Sequence, residues 1–289
     1  MQPSEFRAEP GTLYIVATPI GNLRDITLRA LDILKTADLV AAEDTRVTSG
    51  LLSAYGLSTR LFSYREHNEQ AASATLLERL REGKSVALVS DAGTPGISDP
   101  GAVMARAARA AGIPVVPLPG PSAVATTLSV AGLEAGHWQF YGFLPHKAGE
   151  RRRELQELAG FEWPIVFYES PHRLLETVAD MSAVLGGDRQ LLIARELTKR
   201  FEEFHACPLA EALDWLSGDE NHQRGEFVLV VDGRPKEQDD GLAEARRVLE
   251  ILLDDLSPSQ AARMAARITG AKKDALYDLA IKRSDKTDE

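Results

Sequence analysis

The N-terminal half of the chain alternates short apolar runs with segments of helical pattern, and this alternation restricts the fold more than any other feature. The apolar runs are TLYIVA at 12–17, DLVAAE at 38–43, VALVS at 86–90 and PVVPL at 114–118, with a shorter one near Leu61. Runs that are apolar throughout, rather than at every second residue, indicate strands buried on both faces. Residues 1–122 are therefore predicted to form a doubly wound α/β domain with a parallel sheet and helices on each side.

A second group of strand-like runs follows the turn-rich passage PLPGPSAVATT at 117–127. These runs are WQFYGF, PIVFYES, QLLIARE, FEEFHA and EFVLVVDG, and they place a second α/β domain at 123–233. The predicted strands at 191–196 and 201–206 are separated by only a few residues. Since no crossover helix fits into so short a connection, this second sheet is expected to be partly antiparallel.

The C-terminal part of the chain changes to a purely helical pattern. The polar segment GRPKEQDDG at 233–241 has the composition of a linker, and residues 242–286 contain three helical patterns. Ser257 followed by Pro258 is a typical helix start, and Gly270 a typical helix end. A small three-helix module is therefore expected after the two α/β domains.

Charge and cysteine content exclude several classes of protein. The 33 Lys and Arg against 43 Asp and Glu leave a formal charge of -10, which argues against a partner held mainly by phosphate neutralisation. Cys207 is the one cysteine, so an internal disulfide, a multi-thiolate zinc site and an iron–sulfur cluster are all excluded. Neither a signal sequence nor a membrane span is recognisable, and a cytoplasmic protein is expected.

Polar loops follow the predicted strands of the first sheet, at the edge where open parallel sheets bind ligands. In SDAGTPGISDPG at 90–101, the side chains of Asp91, Thr94 and Ser98 can bond to amine, carboxylate or hydroxyl groups. Ser122 opens a helix and can help to hold an anion there. The loops together predict a pocket for a polar small molecule, although ATPIGNLRDIT taken alone is also compatible with an ordinary helix entry.

Nucleotide and metal motifs are missing from these loops. The glycines do not follow G-x-G-x-x-G, and Ala102 stands where a P-loop requires lysine. The six histidines lack paired spacing, so a zinc site is not expected. These patterns disfavour NAD, ATP and zinc, and they favour a reaction without a metal.

Eight strings in a fixed order over residues 11–232 resemble the ribosomal RNA small subunit methyltransferase I family, part of the tetrapyrrole methylase superfamily. They are ATPIGNLRDIT, AAEDTR, SDAGTPGISDPG, PLPGPSA, YGFLPHK, FYESPHR, ARELTK and GEFVLVV. The resemblance implies S-adenosylmethionine-dependent methylation of the ribose 2′-oxygen of a cytidine in the decoding region of 16S ribosomal RNA, within the small (30S) subunit. It also implies a donor site in the cleft between two α/β domains, a helix-turn-helix-like C-terminal module and a homodimer.

The same resemblance implies which residues line the donor pocket. They are Pro19, Asp91, Gly93, Thr94, Ser98, Ser122, Ala123, Tyr141, Leu144, Tyr168, Glu226 and Phe227. Two departures distinguish this chain from the corrin and sirohaem methylases of the superfamily. TPIGN replaces their Gly-rich first loop, and Gly93-Thr94-Pro95 replaces their Gly-Asp-Pro, which argues against a tetrapyrrole substrate.

Two charged segments contain the candidate catalytic residues. ARELTKRFEEF at 194–204 offers Arg195, Glu196 and Lys199, and AAEDTR offers Glu43 and Arg46. We expect Glu196 or Lys199 to assist deprotonation of a ribose hydroxyl, while Arg195 and Arg46 hold phosphate or ribose. A surface charge network, with Arg46 pairing Glu43, is the alternative interpretation.

Two basic clusters are the candidate RNA contacts. One is HKAGERRR at 146–153, which has four cations against one Glu, and the other is 263–286, with seven against three Asp. Beside Arg46, the expected contacts are Lys147, Arg151, Arg152, Arg153, Arg263, Arg267, Lys272 and Lys273. An ordinary solvated helix start explains the first cluster equally well. Two other functions remain open, a tetrapyrrole methylase of the same fold and a ligand-sensing helix-turn-helix regulator without turnover.

Overall fold

A computed structural model describes residues 6–133, 136–234 and 243–287, without the side chains of 243–244 and 282–287. The chain divides into two compact units, Met1–Arg234 and Pro235–Glu289. Most of the predicted linker at 233–241 lies outside the described residues. Within the described parts of the chain, no helix has both the length and the apolar character that a bilayer span requires.

The first sheet consists of five parallel strands, as the sequence predicts. They are β1 (Leu13–Val16), β2 (Leu39–Ala42), β3 (Leu61–Ser63), β4 (Val86–Val89) and β5 (Val115–Leu118). Their spatial order is β3–β2–β4–β1–β5. Every side chain of β2 and β4 is buried, because helices cover both faces of the sheet.

The helices of this half are α1 (Leu28–Thr36), α2 (Thr45–Ala54), α3 (Glu69–Arg81), α4 (Ala102–Ala110) and α5 (Ala123–Val130). Three of them, α1, α2 and α5, begin at a capping side chain. Thr27, Asp44 and Ser122 each accept a hydrogen bond from a backbone N–H in the first turn of α1, α2 and α5. Successive residues of β1 pack into two different hydrophobic cores, Leu13 on one face of the sheet and Tyr14 on the other.

The second sheet is mixed, and the expected antiparallel pairing is confirmed. Its strands are β6 (Gln139–Phe143), β7 (Ile165–Glu169), β8 (Gln190–Arg195), β9 (Glu203–Pro208) and β10 (Phe227–Val231). In the order β6–β7–β10–β8–β9, only β6 and β7 run parallel. The strand predicted at 201–206 begins at Glu203, because residues 197–201 form the turn from β8. Three helices cover this sheet, α6 (Ala148–Leu158), α7 (Leu174–Leu185) and α8 (Leu209–Gly218).

A shared apolar cluster joins the two sheets. Val124 of α5 and Ile20 of the first loop pack with Val166, Ala194 and Val228 of the second sheet. The carboxyl edge of the parallel sheet therefore faces the second sheet, and the loops of that edge meet the ends of β7 and β10.

The C-terminal unit contains the three expected helices, α9 (Ala243–Leu253), α10 (Pro258–Thr269) and α11 (Lys273–Thr287). Its core is built largely from alanine, with Leu249 and Leu276 as the larger buried side chains. Ser257 precedes Pro258 at the start of α10, and Gly270 ends that helix in the left-handed conformation at φ 77°.

Candidate functional site

A cavity of about 430 Å³ opens where the carboxyl edge of the first sheet meets the second sheet. Its volume lies in the range of small-molecule sites. One wall comes from Ile20 and the loop after β4, and a second from the start of α5. The remaining wall comes from the ends of β6, β7 and β10 and from Leu197.

Most of the residues predicted for the donor pocket line this cavity. They are Gly93, Thr94, Ser98, Ser122, Ala123, Tyr168, Glu226 and Phe227. The Thr94 hydroxyl donates to the carbonyl of Pro121 at 3.1 Å, which ties the β4 loop to the loop before α5. The two loops therefore form one continuous wall.

Four predicted pocket residues lie elsewhere. Pro19 and Asp91 line a separate cavity of about 130 Å³, and Asp91 accepts the backbone N–H of Asp44 at 2.9 Å. Leu144 is buried in the core of the second sheet. Tyr141 packs on Phe167 in the same core. Of the four, Tyr141 lies within a strand, β6, and its side chain points to the face of the second sheet opposite the cavity.

Several cavity residues escaped the sequence analysis. Phe143 stands beside Tyr168 at the rim with ring centroids 5.5 Å apart, and it takes the place expected for Tyr141. A register shift in β6 between Phe140 and Gly142 moves the later side chains of that strand, and no sequence pattern signals such a shift. Asp99 also lines the cavity. It is the second aspartate of the loop SDAGTPGISDPG, in which only the first, Asp91, was predicted to line the pocket.

The turn between β8 and β9 holds an ion-paired carboxylate–lysine group. Lys199 Nζ lies 2.7 Å from Glu196 Oε1 and 2.9 Å from Glu226 Oε2. The Glu196 carboxylate also accepts the backbone N–H of Glu226 at 3.1 Å. Because Glu226 lines the cavity, the Lys199–Glu226 ion pair places Lys199 next to the cavity wall, although Lys199 is not itself a lining residue.

Both members of this pair are charged at neutral pH. Burial tends to raise the pKa of Glu196, but the hydrogen bonds from Lys199 and from the Glu226 backbone outweigh burial and lower this pKa. Burial tends to lower the pKa of Lys199, but Glu196 and Glu226 outweigh it and raise that pKa. A carboxylate and an ammonium stabilised in this way are poor proton acceptors.

Arg195 is occupied inside the protein. Its guanidinium donates to the carbonyls of Arg224 and Phe201 and pairs with Glu203 at 3.2 Å. The side chain is only 8% exposed. Arg195 therefore fixes the turn that carries Glu196 rather than presenting a free guanidinium to a ligand.

Arg46 and Glu43 do not form the pair considered from the sequence. Arg46 pairs instead with Asp44 at 2.5 Å, and its side chain is 85% exposed. Burial, followed by the negative charge of Asp91, raises the pKa of Glu43. Glu43 lies in neither cavity wall, although its charge reaches Asp99.

Comparison with known proteins identifies the family. The profile of the tetrapyrrole (corrin/porphyrin) methylases matches residues 12–213, and that of the RsmI C-terminal HTH domain matches residues 239–284. A protein of Escherichia coli O157:H7 named ribosomal RNA small subunit methyltransferase I is 51% identical, over 94% of this chain and 95% of its own. The protein of that name from Pseudomonas aeruginosa is 50% identical, over 96% and 99%. This chain belongs to the ribosomal RNA small subunit methyltransferase I family.

Solved structures place this family within the tetrapyrrole methylase fold. A cobalt precorrin-4 methyltransferase, a cobalamin biosynthetic enzyme, matches with a TM-score of 0.56 at 20% identity, over 76% of this chain and 94% of its own. A uroporphyrin-III C-methyl transferase from Thermus thermophilus, complexed with S-adenosylhomocysteine, matches with a TM-score of 0.55 at 18% identity, over 76% and 97%. At this identity the likeness establishes the fold alone.

The first basic cluster of this family member is partly structural. Arg151 was expected to contact RNA, but it is 1% exposed and pairs with buried Asp180 at 2.6 Å. Its side chain is turned into the protein and is not accessible to a phosphate. Arg152 is exposed but also pairs with Asp180 at 2.6 Å. Lys147 and Arg153 are exposed, and Lys147 pairs with Glu150 at 3.0 Å.

Four cations of the second basic cluster were expected to contact RNA, and they lie at the surface of the C-terminal unit. Arg263 and Arg267 lie one turn apart on α10, and Lys272 and Lys273 stand at the start of α11. All four side chains are exposed. Positions four residues apart share one helix face, so the two arginines form a single positive stripe.

Proposed function

We propose that this chain transfers the methyl group of S-adenosylmethionine to the 2′-oxygen of a cytidine ribose in the decoding region of 16S ribosomal RNA. The observation that carries the proposal is about 50% identity, over almost the whole chain, to proteins named ribosomal RNA small subunit methyltransferase I. The 2′-oxygen and the cytidine come from the motif resemblance. A 30S subunit as substrate, a homodimer and a cytoplasmic location belong to the same proposal.

The cavity residues fit S-adenosylmethionine. Ser122 lines the cavity at the start of α5, where its hydroxyl and the helix N-terminus suit the carboxylate of the donor. The Asp99 and Glu226 carboxylates suit its positive charges, and the apolar side chains of Ile20 and Phe227 suit its adenine. When bound, the donor supplies a methyl group activated by a sulfonium sulfur.

The protein mainly has to align the acceptor oxygen and exclude water. Alignment alone can lower a barrier by about 7 to 11 kcal/mol. Phe143, 52% exposed at the cavity rim, offers a face on which an unstacked base can lie. Lys199, paired with Glu226, places a positive charge beside the cavity wall, where it can neutralise a phosphate or a developing oxyanion.

The two other functions kept open by the sequence have less support. The tetrapyrrole methylases match at 20% identity or below in the two cases compared, against about 50% for the proteins named after ribosomal RNA. A ligand-sensing regulator would also have a cavity of this size, so the evidence against it is the relatives named as methyltransferases. Neither alternative accounts for the family relationship.

Incubation with isotope-labelled donor tests the proposal. We expect label in 16S RNA of unmethylated 30S subunits, at one cytidine whose 3′ linkage resists alkaline hydrolysis. Naked 16S RNA, duplex DNA and a precorrin-type tetrapyrrole serve as competing substrates in parallel reactions. Label on the tetrapyrrole, or on a base rather than a ribose, would contradict the proposal. Ligand-tuned binding to duplex DNA without any turnover would favour the regulator.

A further inference from the structure

The smaller of the two cavities at the carboxyl edge of the first sheet is built from side chains of three different segments. It has a volume of about 130 Å³, and its lining includes Pro19, Leu23, Val47, Thr48, Leu51 and Asp91. These residues come from the loop after β1, from one face of α2 and from the end of β4. Since a cavity of roughly 150 Å³ accommodates one benzene ring, the smaller cavity suits a single six-membered ring and not a fused pair.

Thr48 brings a hydroxyl group without a hydrogen-bond partner to this cavity. The residue is 2% exposed, and its hydroxyl forms no hydrogen bond within the described part of the chain. Buried hydroxyl groups in proteins are normally hydrogen-bonded. Because Thr48 lines the smaller cavity, its partner has to come from the molecule that occupies this cavity.

Asp91 brings a carboxylate oxygen to the same cavity. Its Oδ1 accepts the backbone N–H of Asp44 at 2.9 Å, and this bond orients the carboxylate. Among the described residues, none donates to Oδ2 and none forms an ion pair with Asp91. An ionised carboxylate is an acceptor only, whereas a hydroxyl can also donate. The smaller cavity therefore combines an acceptor, Asp91 Oδ2, with a donor, the Thr48 hydroxyl.

The rest of the wall is largely apolar, which suits the faces of a planar ring. Leu23 and Val47 are 48% and 49% exposed, so the cavity opens to solvent between apolar side chains. A pyrimidine base has two apolar faces and one polar edge, and unstacked bases of RNA are commonly recognised along this edge. The described lining thus has the character of a base-binding site.

The positions of donor and acceptor distinguish between the bases. Cytosine presents its N4 amino group next to the acceptor nitrogen N3, and a carboxylate is the usual partner of this amino group. Uracil presents the oxygen O4 instead, which a carboxylate repels. Adenine has an amino group next to an acceptor nitrogen as well, but its fused rings exceed a cavity of about 130 Å³. Cytosine therefore fits this cavity better than uracil or adenine.

The partition between the two cavities is one residue thick. Thr18 and Gly93 join the two segments of the partition through backbone hydrogen bonds of 2.9 and 3.0 Å. Pro19 lines the smaller cavity and the next residue, Ile20, the larger one. Asp91 and the residue after it are divided in the same way. Because consecutive Cα atoms are about 3.8 Å apart, a base in the smaller cavity brings its ribose close to a donor in the larger one.

From this arrangement we infer that the smaller cavity binds the cytosine base of the acceptor nucleotide. Asp91 Oδ2 accepts from the N4 amino group, and the Thr48 hydroxyl donates to N3. The inference rests on the proposed function. Arg46 is 85% exposed, precedes Val47 in the chain and interacts electrostatically with Asp91, so it can meet a phosphate of the same nucleotide. Phe143 at the rim of the larger cavity remains available to a neighbouring base.

Reconstituted 30S subunits in which the acceptor cytidine is replaced by uridine test this inference. We expect the single-turnover rate of methyl transfer by the wild type to be at least about tenfold lower on the uridine subunits. In Asp91→Asn, the N–H of Asp44 still requires an acceptor, so the amide keeps its oxygen there and turns its NH₂ group towards the cavity. This group matches O4 of uracil, and the ratio of cytidine to uridine rates should fall to about one or below.

A second pair of substitutions tests the hydroxyl. Thr48→Val keeps the size of the side chain and should lower transfer to cytidine subunits about 3- to 10-fold. Thr48→Ser keeps the hydroxyl and should retain most of the rate. The dissociation constant of S-adenosylhomocysteine should stay within about threefold in all these variants. Asp214→Asn, an exposed substitution on α8, is the matched control and should leave both rates unchanged.

Nucleotide binding can also be measured without methyl transfer. We expect cytidine 5′-monophosphate to shift the methyl NMR resonances of Val47, Thr48 and Leu51 in the protein saturated with S-adenosylhomocysteine. Uridine 5′-monophosphate at the same concentration should shift them much less. Asp91→Asn should remove this difference between the two nucleotides.

Three results would overturn the inference. One is equal transfer by the wild type to cytidine and uridine subunits, and another is an unchanged ratio in Asp91→Asn. The third is a loss of S-adenosylhomocysteine affinity in Asp91→Asn equal to its loss of rate, which would assign Asp91 to the donor. A wild type that methylates no 30S RNA would overturn the proposed function and the acceptor role with it. If the wild type methylates 30S RNA but cytidine 5′-monophosphate shifts none of the three methyl groups, the inference alone fails.

Discussion

Two arginines in one turn of α6 show how burial decides the role of a single residue. Arg151 is buried and bonded to Asp180, to Glu176 and to the carbonyl of His146. Arg153 is exposed on the same helix. Both are arginines of the run HKAGERRR, and they differ only in the direction in which their side chains leave the helix.

We expect Arg151→Ala to destabilise the protein and Arg153→Ala to leave its stability unchanged. Removing one partner of a buried ion pair costs about 3 kcal/mol, which corresponds to a fall in Tm of about 6 to 12 °C for a unit of this size. The measurement is thermal unfolding of both variants. If the two variants have the same Tm, the Arg151–Asp180 pair does not support the fold.

Replacing Asp99 is expected to raise the stability of the protein, whereas replacing Arg151 is expected to lower it. Burial, followed by the negative charge of Glu43, raises the pKa of Asp99 to about 6 in the folded protein, so the folded state binds a proton more tightly than the unfolded state between pH 4 and pH 6. The stabilisation associated with this proton is complete below pH 4 and is lost as the pH rises through 6. Above pH 6 the ionised carboxylate destabilises the fold.

Asp99→Asn should therefore be more stable than wild type at pH 8, by about 1 to 3 kcal/mol, and no more stable at pH 4. Urea unfolding at the two pH values measures this difference. An equal change at both pH values would mean that burial of the Asp99 charge is not its cause. A gain in stability together with a loss of transfer is typical of residues retained for function.

At the scale of elements, the turn between β8 and β9 depends on a glycine in a distant loop. A Cβ at Gly21 would lie 2.5 Å from Lys199 Cγ and 2.9 Å from both the Leu197 carbonyl oxygen and Thr198 Oγ1. The first loop of the parallel sheet therefore packs directly on the turn that carries Lys199. This close approach fixes the position of Lys199 beside Glu226.

We expect Gly21→Ala to displace this turn and to lower methyl transfer at least tenfold, because the added methyl group has no space beside Lys199. Gly50→Ala is the matched control, since nothing lies within 4 Å of a Cβ there and the residue is inside α2, where alanine is favoured. Transfer assays on both variants make the comparison. Equal activities would show that the loop contact does not position Lys199.

Elements of this fold are predictable from sequence, and their contacts much less so. The five strands of the parallel sheet occur where apolar runs predict them, because burial on both faces leaves a local signal. The Arg151–Asp180 pair joins residues 29 positions apart, and the β6 register shift is a property of two paired strands. Neither feature leaves a pattern within one segment, so the sequence offered no reason to replace Tyr141, which the family resemblance implied, by Phe143.

At the scale of the whole molecule, the charge is divided unevenly along the chain. The formal charge is -10, while the four exposed cations Arg263, Arg267, Lys272 and Lys273 lie within eleven residues of the C-terminal unit. Three acidic side chains, Glu43, Asp91 and Asp99, interact electrostatically at the edge of the first sheet. Attraction to RNA is therefore expected from a small local surface, while the net negative charge of the chain opposes binding to a phosphate backbone.

Replacing these four cations by alanine should weaken binding to 30S subunits without changing the affinity for S-adenosylhomocysteine. Each phosphate contact contributes about 0.7 to 0.9 to the slope of log affinity against log salt concentration, so the slope should decrease by about 3 if all four contact phosphate. Arg106→Ala with Arg109→Ala, two exposed arginines of α4, is the control and should leave the slope unchanged. Titrations at several salt concentrations measure both slopes. A slope that falls equally in the two variants would indicate that the C-terminal unit attracts RNA only through net charge, whereas a fall confined to the first variant locates the phosphate contacts on α10 and α11.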